Sequence, residues 1–564
     1  MSKNPNMSKL NSKNLDDSKF TTKKIIIILT LTAFASFIVR LFYFPFDLPL
    51  TNDAAGYFWY ANDMAILGNF PSDFASRTGQ EFPNNGWPAF LSVFFSSMNS
   101  NEFLDFVNAQ RFIGVTISTL TIIPLYLLIS KFLKKHLAIL ASAVFAFSPR
   151  LIENSLLGTT EAPFLLLIIT SLCLFLSDKY KLILISFALA ALASLVRYEG
   201  LLIIIPFTVM FFFRFRKNNK VIGKYLIALS IFILILLPMG YVRTETTGQD
   251  GLISHIASGP QYYNLVASDS PEENVLLNFL IKGFTFLMKY SVILIIPMFI
   301  IFLPFGIFKF FKNRNENKWT IIIFSLILLI PAFYAYSRGF QEMKYLFILY
   351  PFLCICIGYT FGEIEKKINK QNLFFIVFLI GIVSSSFFFT SLMILDFEHQ
   401  KELYDITDEL NEKISTINRD LRWVGYIMWV NDDLNKNFPI LSKDLAKSTS
   451  TDMIIIGKGT LHDFNNFEDY LLYGKTQGME YLVLDGHNLH NQMLIHVFEN
   501  EEEYPFLKKI FEKEIKPTFL KEFKPTFLKE FKNFIFGSIE DDYPFHVKAF
   551  KIDYNEFENI RKNE

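Results

Sequence analysis

Long apolar stretches in this chain are joined by loops that are by turns rich and poor in Lys and Arg. About eleven such stretches lie near 25–44, 112–130, 137–149, 162–176, 182–196, 201–213, 225–242, 287–308, 319–336, 345–361 and 373–395; a helix needs about 20 apolar residues to cross a ~30 Å hydrocarbon core. The basic loops hold Lys131, Lys134 and Lys135; Lys179 and Lys181; Arg214, Arg216, Lys217, Lys220 and Lys224; Lys309, Lys312, Arg314 and Lys318; and Lys366, Lys367 and Lys370. They alternate with sparsely basic loops and share a side with the Lys-rich N-terminus. Positive loops stay cytoplasmic, so the expectation is an N-terminus inside and, after an odd number of spans, everything beyond residue 396 outside. A lone polar segment, Thr51 to Tyr57, then falls just outside the first span.

Composition supports this reading. Half of the 564 residues are apolar and 65 are phenylalanine, more than one soluble domain can bury. The formal net charge is zero, so no basic field points to nucleic acid. Cys173, Cys354 and Cys356 all lie in apolar runs, and the i, i+2 pair faces different sides of a helix, which excludes a metal site built on them. Residues 1–24 read as a cytoplasmic tail, and the first apolar run as a helix that is retained.

Three polar regions are large: about 45–110, about 243–286, and the tail from 396 to 564. The first carries Asp53, a helical patch from Tyr57 to Leu67 and the turn Asn84-Asn85-Gly86-Trp87-Pro88. In the tail, a helical connector is expected over 400–420. Segments 452–456, 481–485 and 546–553 have the pattern of short buried strands, so residues 396–564 are expected to form a soluble extracytoplasmic α/β domain. Residues 516–523 recur at 524–531, a repeat expansion in a surface loop.

Several polar residues sit at the outer membrane boundary. Asp53 and Tyr57 share a helix face at i, i+4, with Trp59, Tyr60 and Asp63 nearby: an acidic, aromatic face suited to orienting or deprotonating a sugar hydroxyl. Glu161 opens the span at 162; Thr159 or Thr160 can cap that helix, and a first-turn acid suits its macrodipole, a role that stands beside a site role. Glu153 is a weaker case of the same kind. Arg197 and Glu199 interrupt two apolar runs, where unpaired charge is costly. Arg338 and Lys344 flank Gln341-Glu342-Met343 at the depth of a lipid phosphate and serve either as its charge-assisted donors or as snorkelling anchors. His255 and Asp53 are weak candidates for a metal, and a divalent cation such as Mg or Mn is permitted but not demanded.

The order of these pieces resembles the membrane glycosyltransferases of the GT-C fold, in the branch of the protein O-mannosyltransferases and the lipid A aminoarabinose transferases. Four segments carry the likeness: Asn52-Asp53-Ala54-Ala55-Gly56-Tyr57; Gly86-Trp87-Pro88-Ala89-Phe90-Leu91; Arg111-Phe112 through Ser148-Pro149 with Thr160-Glu161; and Lys344-Tyr345-Leu346-Phe347 with Pro351. The likeness spans residues 25–395, so the chain is expected to be a polytopic α-helical membrane protein with a GT-C-like transmembrane domain over 25–395. The resemblance implies an inverting transfer of sugar from a polyprenyl-phosphate (dolichyl-phosphate-type) donor to a hydroxyl of a glycan, lipid or protein acceptor outside the membrane. Asp53 would be the base, Glu161 a supporting acid, Tyr57, Arg197 and Glu199 substrate contacts, and Arg338 or Lys344 the phosphate contact. The chain departs from the protein O-mannosyltransferases in having alanine, not a second acid, after Asp53. It lacks a Trp-Trp-Asp signature, which argues against en bloc glycan transfer to Asn. The rival readings are a transporter or lipid flippase, for which repeated spans and broken midplane helices are wanting, and a scaffold that serves the C-terminal domain.

Overall fold

The computed structural model describes residues 21–46, 52–68, 85–100, 103–254, 275–295, 301–312, 315–368, 370–393, 466–476, 481–485, 492–515 and 545–563, with isolated positions between them. The expected connector at 400–420, the strand at 452–456, the repeat at 516–531 and His255 lie outside the described residues, apart from Glu409 in the connector. Two compact units are formed. One comprises Met1–Phe44, Phe82–Leu91 and Gln110–Met393; the other comprises Pro45–Glu81, Ser92–Ala109 and Ile394–Glu564.

The helices are α1 (Thr22–Phe42), α2 (Asn52–Leu67), α3 (Gly86–Phe95), α4 (Phe103–Leu120), α5 (Ile122–Ile129), α6 (Lys135–Ala146), α7 (Pro149–Ser155), α8 (Glu161–Phe175), α9 (Tyr180–Val196), α10 (Ile204–Phe215), α11 (Val221–Thr247), α12 (Val275–Ile295), α13 (Leu303–Lys312), α14 (Glu316–Ser337), α15 (Tyr350–Glu365) and α16 (Gln371–Met393). Short 3₁₀ turns, Tyr198–Ile203 and Met343–Leu349, lead into α10 and α15. Eight helical stretches among the described residues are long and apolar enough to cross a membrane, and the bent pair α6–α7 makes a ninth. The shorter apolar helices α8 and α9 occupy the two remaining positions where spans were expected. The protein is therefore a polytopic, mostly helical membrane protein.

Two departures have local causes. The short stretch at 137–149 is one arm of a helix broken by 54°. Ser148 precedes Pro149 and is extended (φ −67°, ψ 121°), because the proline ring disfavours helical backbone in the residue before it. The span expected at 287–308 instead begins at Val275, ends at Ile295 and is followed by the separate α13. Pro304 sits in the first turn of α13, where its missing N–H costs nothing.

Lipid supplies no hydrogen bonds, so charge within the helical unit must be met by protein. Arg40 of α1 is fully buried. Its Nη1 donates to the carbonyls of Ala146 (2.9 Å) and Ser36 (3.2 Å) and to the Ser36 hydroxyl, and its Nη2 donates to Ser118 Oγ (3.2 Å). One guanidinium thus joins α1, α4 and the carbonyl end of α6, the negative pole of that helix. Elsewhere helices meet through glycine. A Cβ on Gly306 of α13 would lie 2.1 Å from the Cys356 carbonyl oxygen of α15.

In the second unit, β1 (Tyr481–Asp485), β2 (Leu507–Ile515) and β3 (Phe545–Ile552) form an antiparallel sheet with β3 central. Tyr481 pairs with Lys551, Leu507 with Ile552, and the β2–β3 register shifts between Lys509 and Phe511. Helices Phe467–Thr476, Gln492–Glu499 and Tyr554–Asn563 cover it, and Tyr470, Leu482, Leu494, Val497, Phe550 and Phe557 form the core. On the sheet's polar side the Glu501 carboxylate accepts from Lys509 Nζ (2.6 Å) and faces Lys548 Nζ (3.2 Å). Burial pushes this carboxyl up, but the two ammonium groups outweigh it and hold it below its ordinary range.

Two outcomes follow. Gly306→Leu should destabilise the helical unit by about 1–3 kcal/mol, read as a lower thermal midpoint in detergent, whereas Gly223→Leu, with open space around its Cβ position, should leave the midpoint unchanged. Because the Glu501 carboxyl is depressed, its stabilisation is present above the ordinary carboxylate range and is lost as pH falls through the depressed value. The difference in unfolding midpoint between wild type and Glu501→Gln should accordingly be full at neutral pH and close below about pH 4.

Candidate functional site

The loop between α7 and α8 is built to hold one acid. Gly158 turns the chain with φ +73°, a conformation that glycine adopts without steric cost. Its carbonyl accepts from the buried Trp87 indole (Nε1, 3.1 Å) and from the buried Gln110 amide (Nε2, 2.9 Å). This pinned turn delivers Thr160 and then Glu161, the first residue of α8. Thr160 does not cap α8 with its side chain; its Oγ1 accepts instead from Arg197 Nη1 at 3.1 Å. An acid in this first turn suits the helix dipole, and Glu161 is also 96% removed from solvent.

The opposing wall comes from the end of α9. Arg197 is extended (φ −146°, ψ 132°) and the chain then tightens into the 3₁₀ turn from Tyr198. Gly200 is required here, since a Cβ would meet Ser194 N at 2.6 Å. Gly86 plays the same part from α3, with its Cβ position 2.7 Å from the Leu195 carbonyl. The outcome is an ion-pair triad. Arg197 Nη1 binds Glu161 Oε1 at 2.5 Å, while Nη2 and Nε bind Glu199 Oε1 and Oε2 at 2.8 and 3.3 Å. Both carboxylates are buried, and the guanidinium, capped by the Phe164 ring at 5.9 Å, fixes their orientation. The second oxygen of Glu161, Oε2, is buried and makes no hydrogen bond with a described residue.

The triad lines a narrow cleft closed by Pro331 of α14 and by Lys344 and Tyr345 of the second 3₁₀ turn. Lys344 Nζ pairs with Glu342 at 2.5 Å, a carboxylate that is 48% exposed. Tyr336 holds that loop by donating to the Glu342 carbonyl (2.9 Å), and its ring meets Tyr290 and Tyr345. The structure thus brings together Glu161, the Arg197–Glu199 pair and Lys344 from three distant segments of the sequence.

The other sequence candidates lie elsewhere. Arg338 does not line the cleft; it ends α14 against the rings of Phe340 (5.0 Å) and Tyr334 (5.9 Å). Glu153 pairs with Arg150 at 3.3 Å. Asp53, half-buried, and Tyr57, buried, stand one turn apart at the start of α2 in the second compact unit, beside the Phe58–Phe95–Phe106 ring chain. Among the described residues no group of three or more His, Cys, Asp or Glu side chains could hold a metal. Gln110 was not singled out from sequence. Its signal was weak: one of several polar residues in α4, beside an arginine.

Removing Arg197 leaves two buried carboxylates without their cation. Arg197→Leu should cost about 3–5 kcal/mol, seen as loss of extractable folded protein or a sharply lower thermal midpoint. Arg197→Lys keeps the charge but not the fork and should fall between this and wild type.

Residues 101–242, which hold the Gly158 turn and the whole triad, match the sequence profile of the dolichyl-phosphate-mannose-protein mannosyltransferase family. The segments around Asp53 and Lys344 lie outside the match. No curated protein matches the chain. Solved structures with a similar course include the Archaeoglobus fulgidus oligosaccharyltransferase in its apo form (12% identity over 83% of this chain and 70% of that one, TM-score 0.49). The archaeal oligosaccharyltransferase AglB of the same organism, in complex with an inhibitory peptide and a dolichol-phosphate, is another (12%, 82% and 69%, TM-score 0.45). ArnT from Cupriavidus metallidurans bound to undecaprenyl phosphate is a third (11%, 87% and 97%, TM-score 0.48). Over residues 101–242, the segment that builds its buried acid triad, the chain is similar to the dolichyl-phosphate-mannose-protein mannosyltransferases and carries that family's sequence pattern.

Proposed function

We propose that the protein transfers a sugar from a polyprenyl-phosphate donor to an acceptor hydroxyl at the extracytoplasmic face, with inversion at the anomeric carbon. The observation that carries this reading is the cleft in which two clamped carboxylates, Glu161 and Glu199, face the displaceable ammonium of Lys344. A dolichyl-phosphate-linked sugar is the donor named in the description of the matching family. The positive-inside rule supports a cytoplasmic N-terminus and an extracytoplasmic C-terminal unit.

In the proposed reaction the acceptor oxygen bonds to the anomeric carbon as the bond from that carbon to the phosphate oxygen breaks. Lys344 leaves Glu342 and neutralises the charge that grows on the departing phosphate. Lys344 is preferred over Arg338 for this because it lines the cleft. Glu161 Oε2, a buried acceptor without a described partner, orients a hydroxyl of the sugar. Asp53 takes the proton from the attacking hydroxyl; its place in the first turn of a helix, just after the first span and with Tyr57 one turn on, supports that role.

The test uses the full chain in proteoliposomes with radiolabelled polyprenyl-phosphate sugars and a panel of hydroxyl acceptors. Asp53→Asn should lower the transfer rate by on the order of 10²–10⁴-fold without loss of folded protein, and Lys344→Gln should weaken donor use. Transfer that persists in Asp53→Asn would rule that residue out as base; sugar lipid that crosses the bilayer without transfer would favour a flippase.

A further inference from the structure

At the other end of the helical unit lies a groove that no part of the transfer chemistry uses. It runs between α1 and α16, where Ile28, Leu31 and Ala35 face Phe375, Leu379 and Val383, with Phe147 also in its lining. Its volume of about 510 Å³ falls within the range of about 300–1,000 Å³ typical of small-molecule sites. The lining is apolar except for Thr32 and Asn372.

The two helices run parallel. At their C-terminal ends the Tyr43 hydroxyl meets Ser391 Oγ (2.6 Å) and the Phe387 carbonyl (3.3 Å), and Phe42 lies 5.8 Å from Phe387. Stepping back equally along both helices reaches Lys24 on one and Lys370 on the other. Lys23 and Lys367 flank them, all four are exposed, and none is ion-paired with a described carboxylate. Both helix N-termini, the positive ends of their dipoles, open at the same level. This end is fixed by the buried His136, whose Nε2 meets Glu365 Oε1 at 2.6 Å and Gln371 Nε2 at 3.1 Å. The span from Met343 ends at Glu365, so the cleft at Lys344 lies at the opposite end of that span, and a carrier lipid engaged there would have its phosphate near the other surface.

We propose that this groove binds an anionic phospholipid from the leaflet that the lysines face, with one acyl chain between α1 and α16 and the phosphate held by Lys24 and Lys370, supported by Lys23 and Lys367. Charge complementarity selects the headgroup, because four cations and two dipole ends at the mouth of an apolar slot leave a phosphate diester compensated, while a zwitterionic lipid brings its own cation into the same field.

The full chain is to be reconstituted in nanodiscs of equal phosphatidylglycerol and phosphatidylcholine and released for native mass spectrometry. Phosphatidylglycerol should be retained at least about 25-fold over phosphatidylcholine, about fivefold for each of Lys24 and Lys370. Lys24→Gln with Lys370→Gln should lower that preference about fivefold per lysine, and Lys24→Arg with Lys370→Arg should keep it. Leu379→Trp, which fills the slot, should remove retention of both lipids, and the distant pair Lys179→Gln and Lys181→Gln should change nothing. Equal retention of the two lipids by wild type, a preference that survives the double Gln variant in folded protein, or displacement of phosphatidylglycerol by added polyprenyl phosphate would each overturn the assignment.

Discussion

A hydrocarbon solvent offers no partner to a charged side chain, and much of the helical unit is arranged around that constraint. Arg40 has no acidic neighbour among its hydrogen-bond partners, and its two Nη atoms donate to carbonyls and hydroxyls from three helices. Arg197 is satisfied by two acids, which are themselves kept in charged surroundings by it. The first arrangement ties helices together and leaves nothing over for chemistry. The second concentrates two carboxylates and a guanidinium beside a cleft, where their fields act through little intervening water.

The cost of burying such a triad explains the supporting structure. Two carboxylates held on one guanidinium tolerate little backbone play. Gly158 is anchored by Trp87 and Gln110, and Gly86 and Gly200 admit the contacts that bring α3 and the 3₁₀ turn against α9. These residues are uncharged, yet they set where Glu161 and Arg197 stand. Pinning from behind leaves the front of the cleft to Lys344, whose partner Glu342 is half in solvent.

Much of this was legible in the chain itself. Every expected span has a helical element at or near its place, because the length and apolarity of a crossing segment are properties of contiguous residues. The strands at 481–485 and 546–553 were legible from their buried, short apolar runs, and the observed strands Tyr481–Asp485 and Phe545–Ile552 agree to within a residue. The break at Ser148–Pro149 was present in the dipeptide but was read as a short span, since the angle depends on how both arms pack. Of the site, Glu161, Arg197, Glu199 and Lys344 stood out as charges at apolar boundaries. Arg338 stood out equally, and nothing in its local sequence separates it from Lys344. Only the turn at 339–343, with Gly339 at φ +98°, sends one into the cleft and the other onto aromatic rings.

The sequence by itself determined the kind of protein: its solvent, the places of most of its apolar helices and the side each basic loop is expected to take. Those follow from composition over windows of about 20 residues. Tertiary structure alone decided which charges meet. Glu161, Arg197 and Lys344 converge through contacts between separate helices, and residues 45–81 and 92–109 join residues 394–564 in one unit and not the spans next to them in sequence. Pairing of this kind depends on the packing of helix against helix, which acts between residues distant in the chain and leaves no periodic trace within any one of them.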